Sequence, residues 1–248
     1  MIEKKYFYIH NISYWHGNNR VGNLINHIEA VRDTPLSKNQ IGKNLIIISL
    51  IYDEEDKISD MLNFLESQTR NLDGPKVDIL ILPRYNSGGT ARTMWEVYRF
   101  LDKNNITSEF FGTWEDDYIF AKDNFLDIVE EYLKKGNLFV GAIWTPPHIT
   151  FRGEFGAPPT PEHNYEKMVK NGHKYVPPGS TLSFNTGLEA YKWCEDPYIM
   201  RYENLKKIEN LIGRFTVAPQ SRFVHWDHGV VHGEVGFPSR LSLAGGKF

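Results

Sequence analysis

Continuous hydrophobic runs alternate with amphipathic segments through residues 44–143 of the chain. The run from Leu45 to Ile51 is almost entirely aliphatic, which is typical of a strand buried on both faces of a sheet. The next segment, from Ile58 to Leu65, carries apolar residues at the spacing of one helix face. The pattern therefore predicts a buried strand followed by a helix that packs against it.

The same alternation continues along the chain and indicates the fold class. It predicts further strands at 77–82, 109–114 and 138–143, and helices with one apolar face at 94–101 and 124–134. A last helix is expected over 202–211, followed by a short strand at 214–217. Strands and helices in this order favour an α/β layer fold, with a mixed, mostly parallel central sheet flanked by helices.

The two ends of the chain are less regular. Residues 1–43 contain one candidate strand at 5–9 and one candidate helix at 21–31, and we expect them to form an N-terminal extension that packs on the core. Residues 145–182 are rich in Pro and Gly and have no periodicity, which is typical of a long functional loop or of a disordered segment. A helix is expected to begin at 185–187.

In an open α/β sheet, ligands bind beyond the carboxyl ends of the strands. The segments that follow the predicted strands begin at Tyr52, Pro83, Glu115 and Trp144, and we expect them to border one crevice. The sequence thus places a candidate site at this edge of the sheet.

Three adjacent acids, Glu115, Asp116 and Asp117, end the strand in the stretch FFGTWEDDYIF. Neighbouring negative charges beside a buried strand are costly unless a cation offsets them, and hard carboxylate oxygens suit Mg²⁺ or Mn²⁺. His225, at the end of the stretch SRFVH, is a candidate third ligand. The alternative is that the acids face solvent and begin a turn, and that His225 is an ordinary surface or core residue.

Composition narrows the class of protein. The chain has 248 residues, 41% hydrophobic and 24% charged, as expected of a globular domain with a substantial core. A net charge of −3 gives no support to a general nucleic-acid binder. The single cysteine excludes a disulfide framework, and no apolar stretch is long enough to span a bilayer. We expect a cytoplasmic protein, peripheral to a membrane at most through its substrate.

Four segments together resemble the GT-A glycosyltransferases of the family-2 type. NLIIISLIYDEEDKISDMLNFLESQ is similar to their first strand, turn and helix, and NSGGTAR to the glycine loop before their acidic strand. FFGTWEDDYIF resembles their DXD segment, and GRFTVAPQSRFVH their last core strand. The resemblance covers residues 44–143 and 181–226, and implies a nucleotide-sugar-binding half at 44–144 and an acceptor-binding half at 145–248.

The resemblance implies a set of residues for the nucleotide sugar. Tyr52 and Asp53 would face the base and ribose, although Tyr52 is equally suited to packing at a strand end. Two arginines would offset the diphosphate, and glycines would let the backbone approach it, although an exposed helix residue and a simple turn are the alternatives. The implied set is Tyr52, Asp53, Arg84, Asn86, Gly88, Gly89, Arg92, Glu115, Asp116 and Asn185.

The same resemblance implies Asp117 as the principal metal ligand, with Glu115 and His225 beside it. The chain has Glu115 where the family usually has the first Asp of DXD, so the division of roles among the acids stays open. The implied general base is Glu203, with Asp196 and Glu195 as competitors. Each of these three acids is also suited to a helix cap or an exposed surface position.

The implied activity is metal-dependent transfer of a sugar from a nucleotide-diphosphate sugar to the hydroxyl of a saccharide or glycoconjugate, as in glycan biosynthesis. Two alternatives remain from the residues alone. One is a metal-dependent hydrolase or nucleotidyltransferase that uses the acids and the histidine cluster near His225. The other is a non-catalytic domain that binds carbohydrate or nucleotide.

Overall fold

The computed structural model describes residues 4–15, 20–52, 58–85, 89–116, 123–142, 195–213, 241 and 244–247. The side chains at 89–92, 142, 195 and 196 are not part of this description. Predictions that concern the loop at 145–182, the helix beginning at 185–187 and the strand at 214–217 lie outside it.

Six strands of the described part form one sheet, in the order β3-β2-β1-β4-β6-β5. Strands β1 to β4 run parallel, and β6 is antiparallel to both of its neighbours. The strands are β1 (Lys4–Trp15), β2 (Asn44–Tyr52), β3 (Val77–Tyr85), β4 (Ile106–Glu115), β5 (Val140–Ala142) and β6 (Glu195–Arg201).

Helices cover both faces of this sheet. They are α1 (Val21–Asp33), α2 (Ile58–Thr69), α3 (Gly89–Lys103), α4 (Phe125–Leu133) and α5 (Tyr202–Ile212). Buried residues of α3 and α5 pack against one face, which we call the α3 face, and those of α1, α2 and α4 pack against the other, the α1 face. The result is a three-layer α/β architecture in which the central strands are buried on both sides.

The predicted fold class, a mostly parallel mixed sheet flanked by helices, is confirmed. The aliphatic run at 45–51 lies within β2, whose first eight residues are all buried, because this strand has helices on both of its faces. Strand β4 is longer than expected, since it begins at Ile106 rather than at residue 109 and ends at Glu115.

The description of residues 1–43 as an extension is wrong for residues 4–15. Strand β1 spans twelve residues and lies in the middle of the sheet, with β2 on one edge and β4 on the other. The polar residues His10, Asn11 and Ser13 interrupt its apolar run, and they are fully buried. A central strand was not predicted here, because a hydrophobic pattern does not distinguish buried polar residues from solvent-exposed ones.

Strand β6 is also absent from the sequence prediction. Its seven residues include Pro197, and they pair with β4 only through residues Tyr198 to Arg201. A proline in a short segment lowers the expectation of a strand, since it donates no ladder hydrogen bond. Immediately after β6, helix α5 agrees closely with the predicted helix at 202–211.

Candidate functional site

The carboxyl ends of β1 to β4 meet at one edge of the sheet. Ser13 of β1 lies opposite both Ser49 of β2 and Glu115 of β4, and Tyr52 of β2 lies opposite Tyr85 of β3. After β1, the chain adds β2 and then β3 on one side of it, and then crosses over to form β4 on the other side of β1. The order of strands therefore reverses between β1 and β4, which is where an open α/β sheet forms its ligand crevice.

The acidic stretch lies at this point of reversal. Glu115 is the last residue of β4 and is half-buried, and Asp116 follows it with only 1% of its surface exposed. Among the described residues, an arginine from the segment after β1 pairs with this buried carboxylate, since Arg20 Nη1 lies 3.5 Å from Asp116 Oδ1. The alternative in which Asp116 faces solvent does not hold, because the side chain is buried and ion-paired.

The carboxylate of Asp116 also acts on its neighbours in the sheet. Burial raises the pKa of the Tyr14 phenol, and the negative charge of Asp116 raises it further. Tyr14 therefore stays neutral across the physiological range, and its hydroxyl retains the proton that it can donate.

A chain of buried polar side chains runs along the α3 face just below the crevice. Ser49 Oγ donates to Asn11 Oδ1 at 2.7 Å, and Asn11 Nδ2 donates to Thr113 Oγ1 at 3.0 Å. Ser13 is fully buried, and its hydroxyl has no hydrogen-bond partner in the structure. Polar residues that replace aliphatic ones in the middle of a sheet cost stability, so their clustering at the carboxyl edge indicates a site.

Arg84, expected to offset a diphosphate, forms an ion pair with Glu96. Its Nη1 donates to Glu96 Oε2 of α3 at 3.2 Å, and only 14% of its side chain is exposed. Burial lowers the pKa of the guanidinium, against the opposing effect of Glu96. Strand β3 is three strand spacings from β4, so about 14 Å separates Arg84 from the acids.

Tyr52, expected to stack on a base, contacts another tyrosine at the end of the neighbouring strand. The rings of Tyr52 and Tyr85 pack edge to face with centroids 5.9 Å apart, and Tyr85 is 58% exposed. Strand β1 separates Tyr52 from Glu115 by two strand spacings, about 10 Å. This spacing leaves room for an extended ligand between the aromatic pair and the acids.

An aromatic and histidine cluster supports the edge from the α1 face. The ring of Trp114 lies 5.1 Å from that of His10 and 6.0 Å from that of His27, and its Nε1 donates to the Tyr8 hydroxyl at 2.7 Å. Burial lowers the pKa of His10 well below its usual range, and the nearby His27 lowers it further. His10 is therefore a neutral member of this packed layer beneath the acids.

The three candidate bases do not lie together. Glu195 and Asp196 open β6, and Glu195 pairs with Ala142 of β5, so the backbone of both acids lies at the carboxyl edge. Glu203 follows the other end of this antiparallel strand, where Arg201 pairs with Phe110. Glu203 is therefore at least five strand residues, roughly 17 Å, from the acids of the crevice.

Glu203 also has an environment typical of a surface acid. Its carboxylate accepts from Lys207 Nζ at 2.7 Å, one helical turn away, and 72% of the side chain is exposed. The Lys207 ammonium lowers the pKa of this carboxyl, which makes it a weaker base. The structure does not bring Glu203 to the site.

Oxygen ligands for a metal are present but few among the described residues. Glu115 and Asp116 supply carboxylates of the type that Mg²⁺ and Mn²⁺ prefer. No group of three or more His, Cys, Asp or Glu side chains in the described ranges is arranged to hold an ion. Asp116 is buried and paired with Arg20, so Glu115 is the described carboxylate that fits a metal whose other ligands include substrate phosphates and water, as is common for Mg²⁺.

Gly89 is the first residue of α3, so this helix begins at the carboxyl edge as expected. The side chain of Arg92 belongs to the part that is not described. The other predicted site residues that lie outside the described ranges are Asp53, Asn86, Gly88, Asp117, Asn185 and His225.

Sequence reasoning missed the contribution of β1 and the segment after it. Asn11, Ser13, Tyr14 and Arg20 all border the point where the strand order reverses. The available signal was a stretch of β-favouring aromatic and branched residues, KKYFYIHNISYW, whose polar residues His10, Asn11 and Ser13 prove to be buried. In the described part of the chain, every helix is too short or too polar to cross a membrane.

Comparisons with known proteins leave the family open. No family model matches the chain, and a search of curated proteins finds no match. Among solved structures, mouse xyloside xylosyltransferase 1 is similar over 97% of this chain and 81% of its own, with 11% identity and a TM-score of 0.46.

Two further solved structures are synthases of one kind. The 4-diphosphocytidyl-2C-methyl-D-erythritol synthase from Anaerococcus prevotii has 13% identity and a TM-score of 0.39, over 83% of this chain and 74% of its own. A second such synthase has 12% identity and a TM-score of 0.38, over 92% and 84%. At TM-scores below 0.5, the function of this chain has to be argued from its own residues.

Proposed function

We propose that the chain is a metal-dependent transferase that moves a sugar from a nucleotide-diphosphate sugar to the hydroxyl of a saccharide or glycoconjugate. The observation that carries the proposal is the position of Glu115 and Asp116. They end β4 beside β1, at the reversal of strand order where α/β sheets bind their ligands. The resemblance of the motifs to family-2 glycosyltransferases supports the same assignment.

The elongated edge suits a ligand with an aromatic end and a charged end. The exposed ring of Tyr85, beside Tyr52, offers a surface on which a nucleobase can pack. The diphosphate would then lie near Glu115, about 14 Å across the sheet from β3, and α3 begins at the same edge with its positive N-terminal dipole. The Ser13 hydroxyl, which lacks a hydrogen-bond partner among the described residues, would bind a polar group of a ligand that reaches the carboxyl end of β1.

Glu115 is the described carboxylate best placed to hold Mn²⁺ or Mg²⁺, together with Asp117 and His225, which lie outside the described ranges. When bound, the ion would supply positive charge that stabilises the departing nucleoside diphosphate. The residues of the chain position the donor and exclude water around it. Asp116 remains paired with Arg20 in this arrangement.

The acceptor side of the reaction requires a base. The acceptor oxygen forms a bond to the anomeric carbon, the bond from that carbon to the phosphate oxygen breaks, and the hydroxyl proton passes to a carboxylate. Asp196 and Glu195 are proposed for this role because their backbone lies at the carboxyl edge, next to the end of β5. Glu203 is not, because it lies towards the opposite edge and is paired with Lys207.

A thermal-shift panel of UDP, GDP, CDP and dTDP sugars, each with and without Mn²⁺, tests the proposal. A donor at 100 times its dissociation constant should stabilise the native state by about 2.7 kcal/mol, which corresponds to roughly 5–10 °C for a domain of this size. Glu115→Gln should lose most of the Mn²⁺-dependent part of the shift. Glu109→Gln is the matched control, because Glu109 lies on the same strand at its far end and is paired with Arg201.

The products separate this proposal from its alternatives. Release of nucleoside diphosphate that depends on an added acceptor supports glycosyl transfer. Release at full rate without an acceptor indicates a hydrolase, and release of pyrophosphate from a nucleoside triphosphate indicates a nucleotidyltransferase. Equal shifts in wild type and in Glu115→Gln would contradict the placement of the metal.

A further inference from the structure

We infer that Arg20 is the arginine that contacts the diphosphate of the ligand, and that Asp116 is the positioning residue that holds it there. The inference rests on the proposed function, and it replaces the expectation that Arg84 has this role. Arg20 lies on the β1 side of the crevice, and none of the family-like sequence motifs includes a residue from β1 or from the segment that follows it.

The position of Arg20 is the first argument. The residue directly precedes α1 and therefore belongs to the connection that leaves the carboxyl end of β1. Its guanidinium reaches Asp116, which follows the end of β4. The ion pair thus spans the two strands between which the order reverses, and any ligand in that crevice has to lie beside it.

The exposure of the pair is the second argument. The Asp116 side chain is only 2% exposed, whereas that of Arg20 is 50% exposed. A buried carboxylate thus anchors one side of the guanidinium, and half of the arginine side chain faces solvent. Arginine presents five N–H donors in a planar fork that matches phosphate oxygens, so one anchored guanidinium can bind a carboxylate and a phosphate together.

The local charge balance is the third argument. A diphosphate brings negative charge to an edge that already carries Glu115 and Asp116, so it requires fixed positive charge nearby. Arg84 is less suited to this role, because only 14% of its side chain is exposed and it lies three strands away from the acids. Arg20 is the described arginine that is both half-exposed and next to the acids.

A buried hydroxyl, that of Ser13, also lies at the carboxyl end of β1. Ser13 lies opposite Glu115 in the register of β1 and β4, is fully buried and has no hydrogen-bond partner. Native proteins rarely leave such a group unsatisfied unless a ligand or water completes it. The carboxyl end of β1 therefore has an unsatisfied hydroxyl in addition to the Arg20 cation that follows the strand.

Calorimetry with inorganic pyrophosphate and with the nucleoside diphosphate from the best donor tests the inference. Without metal, Arg20→Gln should weaken both affinities by about 10- to 100-fold, as expected for the loss of a charged hydrogen bond. Arg20→Lys should recover part of the loss, because it keeps the charge and not the fork. Arg32→Gln is the matched control, since Arg32 lies at the other end of α1 and is also paired with acids.

Two further variants keep the test decisive if Arg20→Gln fails to fold. The double variant Arg20→Gln/Asp116→Asn removes both charges, so it avoids a buried unpaired carboxylate and should fold while it still binds pyrophosphate weakly. Asp116→Asn alone should weaken metal-free binding and keep the increase in affinity that Mn²⁺ gives. A metal ligand would instead lose that increase.

The outcomes distinguish the two levels of the proposal. If wild type binds a nucleoside diphosphate and Arg20→Gln or the double variant binds it equally well, the role of Arg20 is wrong and the proposed function stands. If Arg32→Gln loses as much affinity as Arg20→Gln, the effect is general electrostatics and the inference is also wrong. If wild type binds none of the ligands, both fail.

Discussion

At the scale of single residues, His10 shows how strongly the interior constrains charge. It is fully buried beside Tyr8, His27 and Trp114, and its Nδ1 lies 3.1 Å from the Tyr8 hydroxyl. Burial and the neighbouring His27 hold its pKa well below the ordinary value near 6.5. The folded protein therefore resists protonation of a side chain that the unfolded chain protonates readily.

The lowered pKa of His10 makes the free energy of unfolding depend on pH. Below about pH 6.5 the unfolded state binds a proton that the native state does not, so stability falls with decreasing pH, by about 1.4 kcal/mol per pH unit for this site. Above that pH the contribution is constant. Denaturant unfolding at pH 5.5 and 7.5 should show a larger loss at low pH for wild type than for His10→Asn. Identical losses in the two proteins would show that His10 does not control acid stability.

Gly112 makes a second prediction at this scale. It lies opposite His10 in β4, and a Cβ added there would overlap the Tyr8 hydroxyl and lie 2.8 Å from Trp114 Nε1. Gly112→Ala should therefore destabilise the protein by about 1–3 kcal/mol, as overpacking of a core does, measured as the midpoint of urea unfolding. Gly74→Ala, with open space around its Cβ, is the control and should be neutral or slightly stabilising.

At the scale of elements, the direction of β6 separates two candidate bases, Asp196 and Glu203. The strand runs antiparallel to β4, so its first residues lie at the carboxyl edge and its last ones well below it. Asp196 and Glu203 lie only seven positions apart in the sequence, yet they belong to opposite ends of this strand. The resemblance to family-2 glycosyltransferases implied Glu203, and the strand between the two acids was not recognised from the sequence.

The reversed strand gives a paired prediction. Once a donor is known, Asp196→Asn should lower kcat by about 10²- to 10⁴-fold, the usual contribution of a general base, and leave donor affinity unchanged. Glu203→Gln should leave kcat near that of wild type, since its carboxylate lies on the surface and pairs with Lys207. Steady-state assays of both variants decide the matter. A large loss in Glu203→Gln with none in Asp196→Asn would reverse the assignment.

The elements that the sequence predicted well have a simple hydrophobic pattern. The aliphatic run at 45–51 and the amphipathic helices α3 and α5 each agree with their predicted positions, since helices cover both faces of β2 and one face of each helix is buried. Strand β1 was largely missed, because buried Asn11 and Ser13 look polar in a pattern and their partners are distant in sequence. The Arg20–Asp116 pair is equally invisible, since 96 positions separate its members.

At the scale of the whole molecule, the arrangement of strands explains why the candidate site lies where it does. β1 lies in the middle of the described sheet, and the order in which strands are added reverses across it. The acids Glu115 and Asp116 lie at the end of β4, beside β1. The rule that ligands bind at the carboxyl ends predicts a site at the edge of the sheet where Glu115 and Asp116 lie. Only the strand order shows that β1 and β4, rather than β2 and β3, border its acidic part.

The most direct test of this arrangement is a crystal structure of the protein soaked with Mn²⁺ and the nucleoside diphosphate that gives the largest thermal shift. The anomalous signal of manganese should lie beside Glu115, with the diphosphate within hydrogen-bond distance of the Arg20 guanidinium. A nucleotide bound at another edge of the sheet, or a manganese ion distant from Glu115, would contradict the account.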